Sequence, residues 1–195
     1  MNPELFTITN YLIAINIIGF ILTAAYAFFG GRKGKSPTYA AAAAIALIGG
    51  SLGVVIAMLL FARKAEKASM MSRIFSVCVL IMQIILLLFL KSGNYENLTF
   101  DFVGFFAAHK PLTIYLICIN VITFAAFAVD KFMAIANRQR IRIVTLLVLS
   151  FLGGVIGGLL GMCIFRHKIR KVYFAVGLPL MFVMHLVLIF YIMNR

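Results

Sequence analysis

Acidic residues are scarce, 5 Asp and Glu against 18 Lys and Arg. Asp130 alone among them falls within or at the edge of an apolar run. That leaves no carboxylate pair for two-carboxylate or two-metal catalysis, and a thin basis for a carrier that couples to ions through intramembrane acids. Cysteine is sparse too. Cys78, Cys118 and Cys163 lie inside apolar runs and form no CxxC, so neither a disulfide framework nor a zinc knuckle is supported. No metal or other cofactor is expected, and Met162 beside glycines reads as packing. The N-terminal MNPELFTITN lacks the basic leader and small-residue cleavage site of a secretory signal, so the first apolar run is expected to persist as a helix. The apolar runs also lack the alternation of a β-barrel strand, which excludes that way of satisfying a backbone in lipid.

What is present is hydrophobic: 64% of residues, with a mean hydropathy of +1.10, beyond the range of soluble domains. Runs near 9 to 29, 39 to 62, 73 to 90, 112 to 130, 143 to 165 and 172 to 193 approach or exceed the roughly 20 apolar residues that cross a bilayer. The expected fold is an all-α integral membrane protein with six transmembrane helices.

The chain also resembles itself. At an offset of 104, 16 of the 57 positions from Tyr11 to Lys67 are identical, Asn, Gly and Lys among them. YLIAINIIGF at Tyr11 meets YLICINVITF at Tyr115, and IGGSLGVVIAMLLFARKAEK at Ile48 meets LGGVIGGLLGMCIFRHKIRK at Leu152. The chain reads as a three-helix repeat over 1–91, an interfacial linker over 92–111 rich in Phe, and a second three-helix repeat over 112–195. Three crossings per repeat is odd, so the repeats are expected in inverted topology, a recurrent transporter design. On that count nine Lys or Arg fall on each face, and the positive-inside rule gives no orientation.

Gly153, Gly157 and Gly161, and likewise Gly49, Gly53 and Ala57, recur every four residues. Such spacing clears a helix face for close packing, or alternatively breaks helices 2 and 5 into re-entrant elements lining a cavity. Asn16 and Asn120 stand at equivalent places deep in the apolar zone; Gln83 and His185 are nearly equivalent. Each reads as structural glue or, with Asp130, as part of a substrate path. With helix 5 crossing fully, Asp130 lies on the face of ARKAEK, while Arg166, His167, Lys168, Arg170 and Lys171 lie opposite with no acid. That uncompensated cluster suits an anion or a lipid headgroup.

DKFMAIANRQRIR, followed by LSFLGGVIGGLLGMCIFRHKIRK, resembles domain-of-unknown-function family 1294, small bacterial membrane proteins sometimes fused to a cold-shock domain. The resemblance covers about 116–187 and rests on Asp130 and Lys131, on Gly153, Gly154, Gly161 and Met162, and on Phe165, Arg166, His167, Lys168, Arg170 and Lys171. The first copy departs from it, with Tyr26 and Ala27 for Asp-Lys and Ala62 and Arg63 for Arg-His. The resemblance implies a fold but no reaction, and a bacterial cytoplasmic membrane location.

The expected function is a transporter or channel-like protein for a small solute or ion, with basic entrances suited to anions. The alternative is a lipid-binding or scaffold protein whose turns hold anionic headgroups. An enzyme acting on a phosphorylated lipid would use His167, but in this arrangement no carboxylate shares its face to orient it. Expected partners are membrane lipids, anionic ones first, and the unknown solute; nucleic acid is not expected and a homo-oligomer is left open.

Overall fold

The structure, a computed structural model, describes residues 3–29, 37–61, 67–92 and 98–195, with only the backbone at 3–8, 29, 37–40 and 67–69. Arg32, Lys33, Lys35, Arg63 and Lys64 of the first copy's charge pattern lie outside the described residues. The regular elements among the described residues are all helices, and six segments are long and apolar enough to cross a membrane. Two units divide the chain, Met1–Leu86 and Leu87–Arg195.

After the last turns of the helix that ends at Ser92, the second unit has a short helix α5 (Phe102–Ala108), capped by Asp101, whose carboxylate accepts the Gly104 N–H at 2.8 Å. It lies within the Phe-rich stretch read from the sequence as a linker. It packs against α6 (Lys110–Ile135), where Thr113 Oγ1 donates to Phe106 O at 2.7 Å. At 26 residues α6 is about 39 Å long, enough for a full crossing. The last helix, α10 (Gly177–Met193), follows a single turn, α9 (Val172–Ala175), and runs back to the α5 end, where the Asn194 side chain accepts the Thr99 N–H at 2.6 Å and donates to Thr99 O at 3.1 Å.

The apolar run between them does not cross straight. It consists of α7 (Ile143–Leu149), a wide π-type turn at Ser150–Gly154, and α8 (Val155–Ile164), and is broken at Gly153, whose φ of 115° is left-handed and costs a residue with a side chain strain. Contacts with α6 show the direction of each arm. Ile141, just before α7, donates its N–H to Asp130; Leu152 O accepts from Tyr115; Gly157 N–H reaches Asn120; Gly161 packs on Phe127; Phe165 lies between Phe124 and Phe132; and His167 returns to Asp130. Thus α7 descends antiparallel to α6 and α8 climbs back parallel to it. The segment is a re-entrant hairpin that starts and ends at one end of α6 and penetrates to the level of Tyr115, about 22 Å along the helix.

The first unit repeats this plan with α1 (Pro3–Phe29), α2 (Pro37–Ile45), a break at Gly49 with φ 121°, α3 (Ser51–Phe61) and α4 (Lys67–Ser92). Tyr11 donates to Ile48 O, Gly53 N–H to Asn16, and Phe61 stacks near Phe20 and Phe28, each the counterpart at offset 104 of a bond or contact above. Here too α3 runs parallel to α1. Of the two readings of the glycine spacing, close packing or a break in helices 2 and 5, the structure has the break in both units: glycine there admits a backbone turn that an L-residue resists, and neighbouring side chains satisfy the carbonyls it frees.

Candidate functional site

Those satisfying side chains are the polar residues singled out in the sequence. Asn120 Nδ2 donates to Leu116 O at 2.7 Å and to Gly153 O at 3.0 Å, while its Oδ1 accepts from Gly157 N at 2.7 Å. Asn16 makes the same three bonds to Leu12, Gly49 and Gly53. From the last helix of each unit, Gln83 Nε2 donates to Ala46 O at 2.7 Å while its Oε1 accepts from Ser51 Oγ, and His185 lies with Nε2 3.0 Å from Phe151 O and Nδ1 2.6 Å from Met181 O. A neutral imidazole donates to only one of those carbonyls. Buried backbone groups in lipid must be paired, and these four side chains pair the hairpin tips.

The glycines divide the labour. Gly49 and Gly153 supply the left-handed break. Gly53 and Gly157 bring backbone against backbone, since a Cβ on either would overlap the carbonyl of Asn16 or Asn120. Gly161 seats on the Phe127 ring, and Ala57 is buried at the matching place. Beside the second hairpin tip is a hollow of about 630 Å³, with almost wholly apolar walls that include Phe106, Leu116, Asn120, Ile156, Phe182 and His185.

At the other end of the hairpin the structure overturns one expectation outright. Asp130 and the RHKIRK turn are in contact: Asp130 Oδ2 lies 2.8 Å from His167 Nε2 and 2.6 Å from Lys168 Nζ, and Oδ1 accepts the Ile141 N–H at 3.0 Å. The sequence separated them because it assumed a straight helix 5. Asp130 is 0% exposed, His167 14% and Lys168 13%, so this is a buried carboxylate with two basic partners at its mouth. Lys168 Nζ also sits 5.1 Å above the ring of Phe174, which packs on Phe127.

Two helix ends aim these groups. After α6, Arg138 N–H returns to Met133 O with Asn137 left-handed (φ 51°). After α8, His167 N–H returns to Met162 O and Arg166 N–H to Cys163 O, with Arg166 at φ 44°. The second is a Schellman turn carrying arginine where glycine is usual. Lys168 is also left-handed, at φ 63°, so His167 is flanked by two residues in strained conformations. The turn faces His167 and Lys168 inward and leaves Arg166, Arg170 and Lys171 exposed. The loop before α7, pinned through Ile141, exposes Arg138, Arg140 and Arg142. Asp130 thus anchors both basic loops. These six cations form no ion pair among the described residues.

Fold and site define a polytopic helical membrane protein with a broken helical hairpin in each unit. Residues 120–174, from the Asn120 clamp through the Asp130 network, match the family described as Protein of unknown function (DUF1294). Uncharacterized protein YsdA of Bacillus subtilis (strain 168) is 36% identical over 75 residues, which cover 38% of this chain and 84% of YsdA. The chain belongs to that family. No solved structure matches it.

Proposed function

We propose that this chain binds anionic, phosphate-bearing lipid headgroups at the hairpin end of its second unit. The observation that carries this reading is the Asp130 network: one buried acid satisfies His167 and Lys168 and fixes two loops, so Arg138, Arg140, Arg142, Arg166, Arg170 and Lys171 remain outward with no acid among the described residues to neutralise them. Arginine's planar fork suits phosphate oxygens, and basic groups beside a membrane attract anionic lipid. In this reading the apolar hollow accommodates an acyl chain. Within the unit, Lys131, Arg138, Arg140, Arg142, Arg166, Lys168, Arg170 and Lys171 belong to the hairpin end and only Lys91, Lys110 and Arg195 to the other. Positive residues favour the inside, so the hairpin end faces the cytoplasm of a bacterial inner membrane. Two crossings and one re-entrant hairpin per repeat is an even count.

The test is lipid retention. Wild-type protein purified from mixed vesicles should carry phosphatidylglycerol or cardiolipin over phosphatidylcholine. At about 1 kcal/mol per basic group, replacing Arg138, Arg140 and Arg142 by Gln should weaken that preference roughly a hundredfold. Equal retention of zwitterionic lipid by the wild type contradicts the proposal. Transport remains the second reading, favoured by helix breaks at matching places in the two units, a pattern found at transporter sites. Solute flux in proteoliposomes that depends on Asn120 would favour it.

A further inference from the structure

The geometry points to a phosphatase activity at the same end: His167 is the nucleophile in hydrolysis of a lipid phosphomonoester, and Asp130 is its positioning residue. This rests on the headgroup reading above. Three observations carry it. First, the ring is oriented. His167 Nε2 faces Asp130 Oδ2 at 2.8 Å, which fixes the tautomer with the proton on Nε2 and leaves the Nδ1 lone pair free, and no protein group among the described residues bonds Nδ1. Lys168 Nζ lies 2.6 Å from the same carboxylate oxygen, so the carboxylate has a second basic partner beside the ring. Second, His167 sits between two left-handed non-glycine residues, Arg166 and Lys168, a sparsely populated backbone conformation of the kind found at functional sites. Third, the first unit is an internal control: it builds the same hairpin and the same Asn clamp with Tyr26 at the place of Asp130 and Arg63 at that of His167. Hairpin formation therefore does not require the acid and histidine.

The surrounding exposed arginines suit a dianionic terminal phosphate. In the step, the Nδ1 lone pair attacks phosphorus, an N–P bond forms, and the P–O ester bond breaks with its electron pair leaving on the lipid alcohol oxygen, which takes a proton from water. The phosphorylated ring, with Nε2 still protonated, is a cation facing the Asp130 carboxylate. Hydroxide from that water then attacks phosphorus and the N–P pair returns to Nδ1, so the sum is phosphomonoester plus water to alcohol plus hydrogen phosphate.

The experiment uses the full chain in nanodiscs of phosphatidylcholine doped with phosphatidate, reading retained phosphatidate and released inorganic phosphate separately. Expected are retention, phosphate release, and a fall in release on the order of 100-fold or more in His167→Ala with retention kept. Free imidazole should restore part of that activity, which a purely structural role would not allow. Retention without phosphate release by the wild type, or release unchanged in His167→Ala, overturns the nucleophile and leaves the headgroup reading standing. No retention of phosphatidate overturns both.

Discussion

At the scale of single residues, the amides decide how an apolar run can fold back inside a membrane. Asn120 closes three backbone groups of its unit at once, and Asn16 does the same 104 positions earlier. Replacing Asn120 by Leu should cost on the order of 2 kcal/mol, because the Gly157 N–H and the Gly153 carbonyl lose a partner where water is scarce. Thermal unfolding in detergent would show it, and an unchanged midpoint would remove the clamp from the account. Gly157→Ala should be more damaging still, since its Cβ meets the Asn120 backbone rather than a side chain that can turn away. The sequence marked all these positions, through identity between the copies and small residues at helical spacing. It left their partners open. A buried amide announces a need for hydrogen bonds, but the choice between a helix backbone and a solute depends on which carbonyls the fold frees.

At the scale of elements, the hairpin is the feature composition conceals. A run of 22 apolar residues has the same hydropathy whether it crosses once or enters and returns, and only the backbone at Gly153 distinguishes the two. The Gly-Gly pair in the middle of the run was the available signal, and it admits packing as readily as a break. Gly153→Ala should destabilise by roughly 1–2 kcal/mol from the left-handed φ alone, and its Cβ would also stand 3.0 Å from Leu116. The Asp130 network was illegible for the same reason: its chemistry was in view, its juxtaposition was not. Asp130→Asn removes the charge that holds Lys168 and His167 inward. Hydrogen exchange should then rise in the loops around Arg138–Arg142 and Arg166–Lys171 while α6 stays protected, and exchange unchanged in both loops would count against Asp130 as their common anchor.

At the scale of the whole molecule, a broken helix changes the reading of charge. Counting six full crossings spreads Lys and Arg evenly and conceals any orientation; counting each hairpin as a return gathers the second unit's cations at one end. The proposed lipid recognition and the proposed cytoplasmic placement of the basic loops both depend on that return. The most direct test puts single cysteines at Arg138 and Lys171, either side of the hairpin, and at Lys110 as reference, with Cys78, Cys118 and Cys163 replaced. An impermeant thiol reagent is then applied to right-side-out and inside-out vesicles. The hairpin predicts that positions 138 and 171 label together in inside-out vesicles and that position 110 labels in the opposite preparation. Labelling of 138 and 171 from opposite faces would mean the segment crosses straight, and would contradict the account.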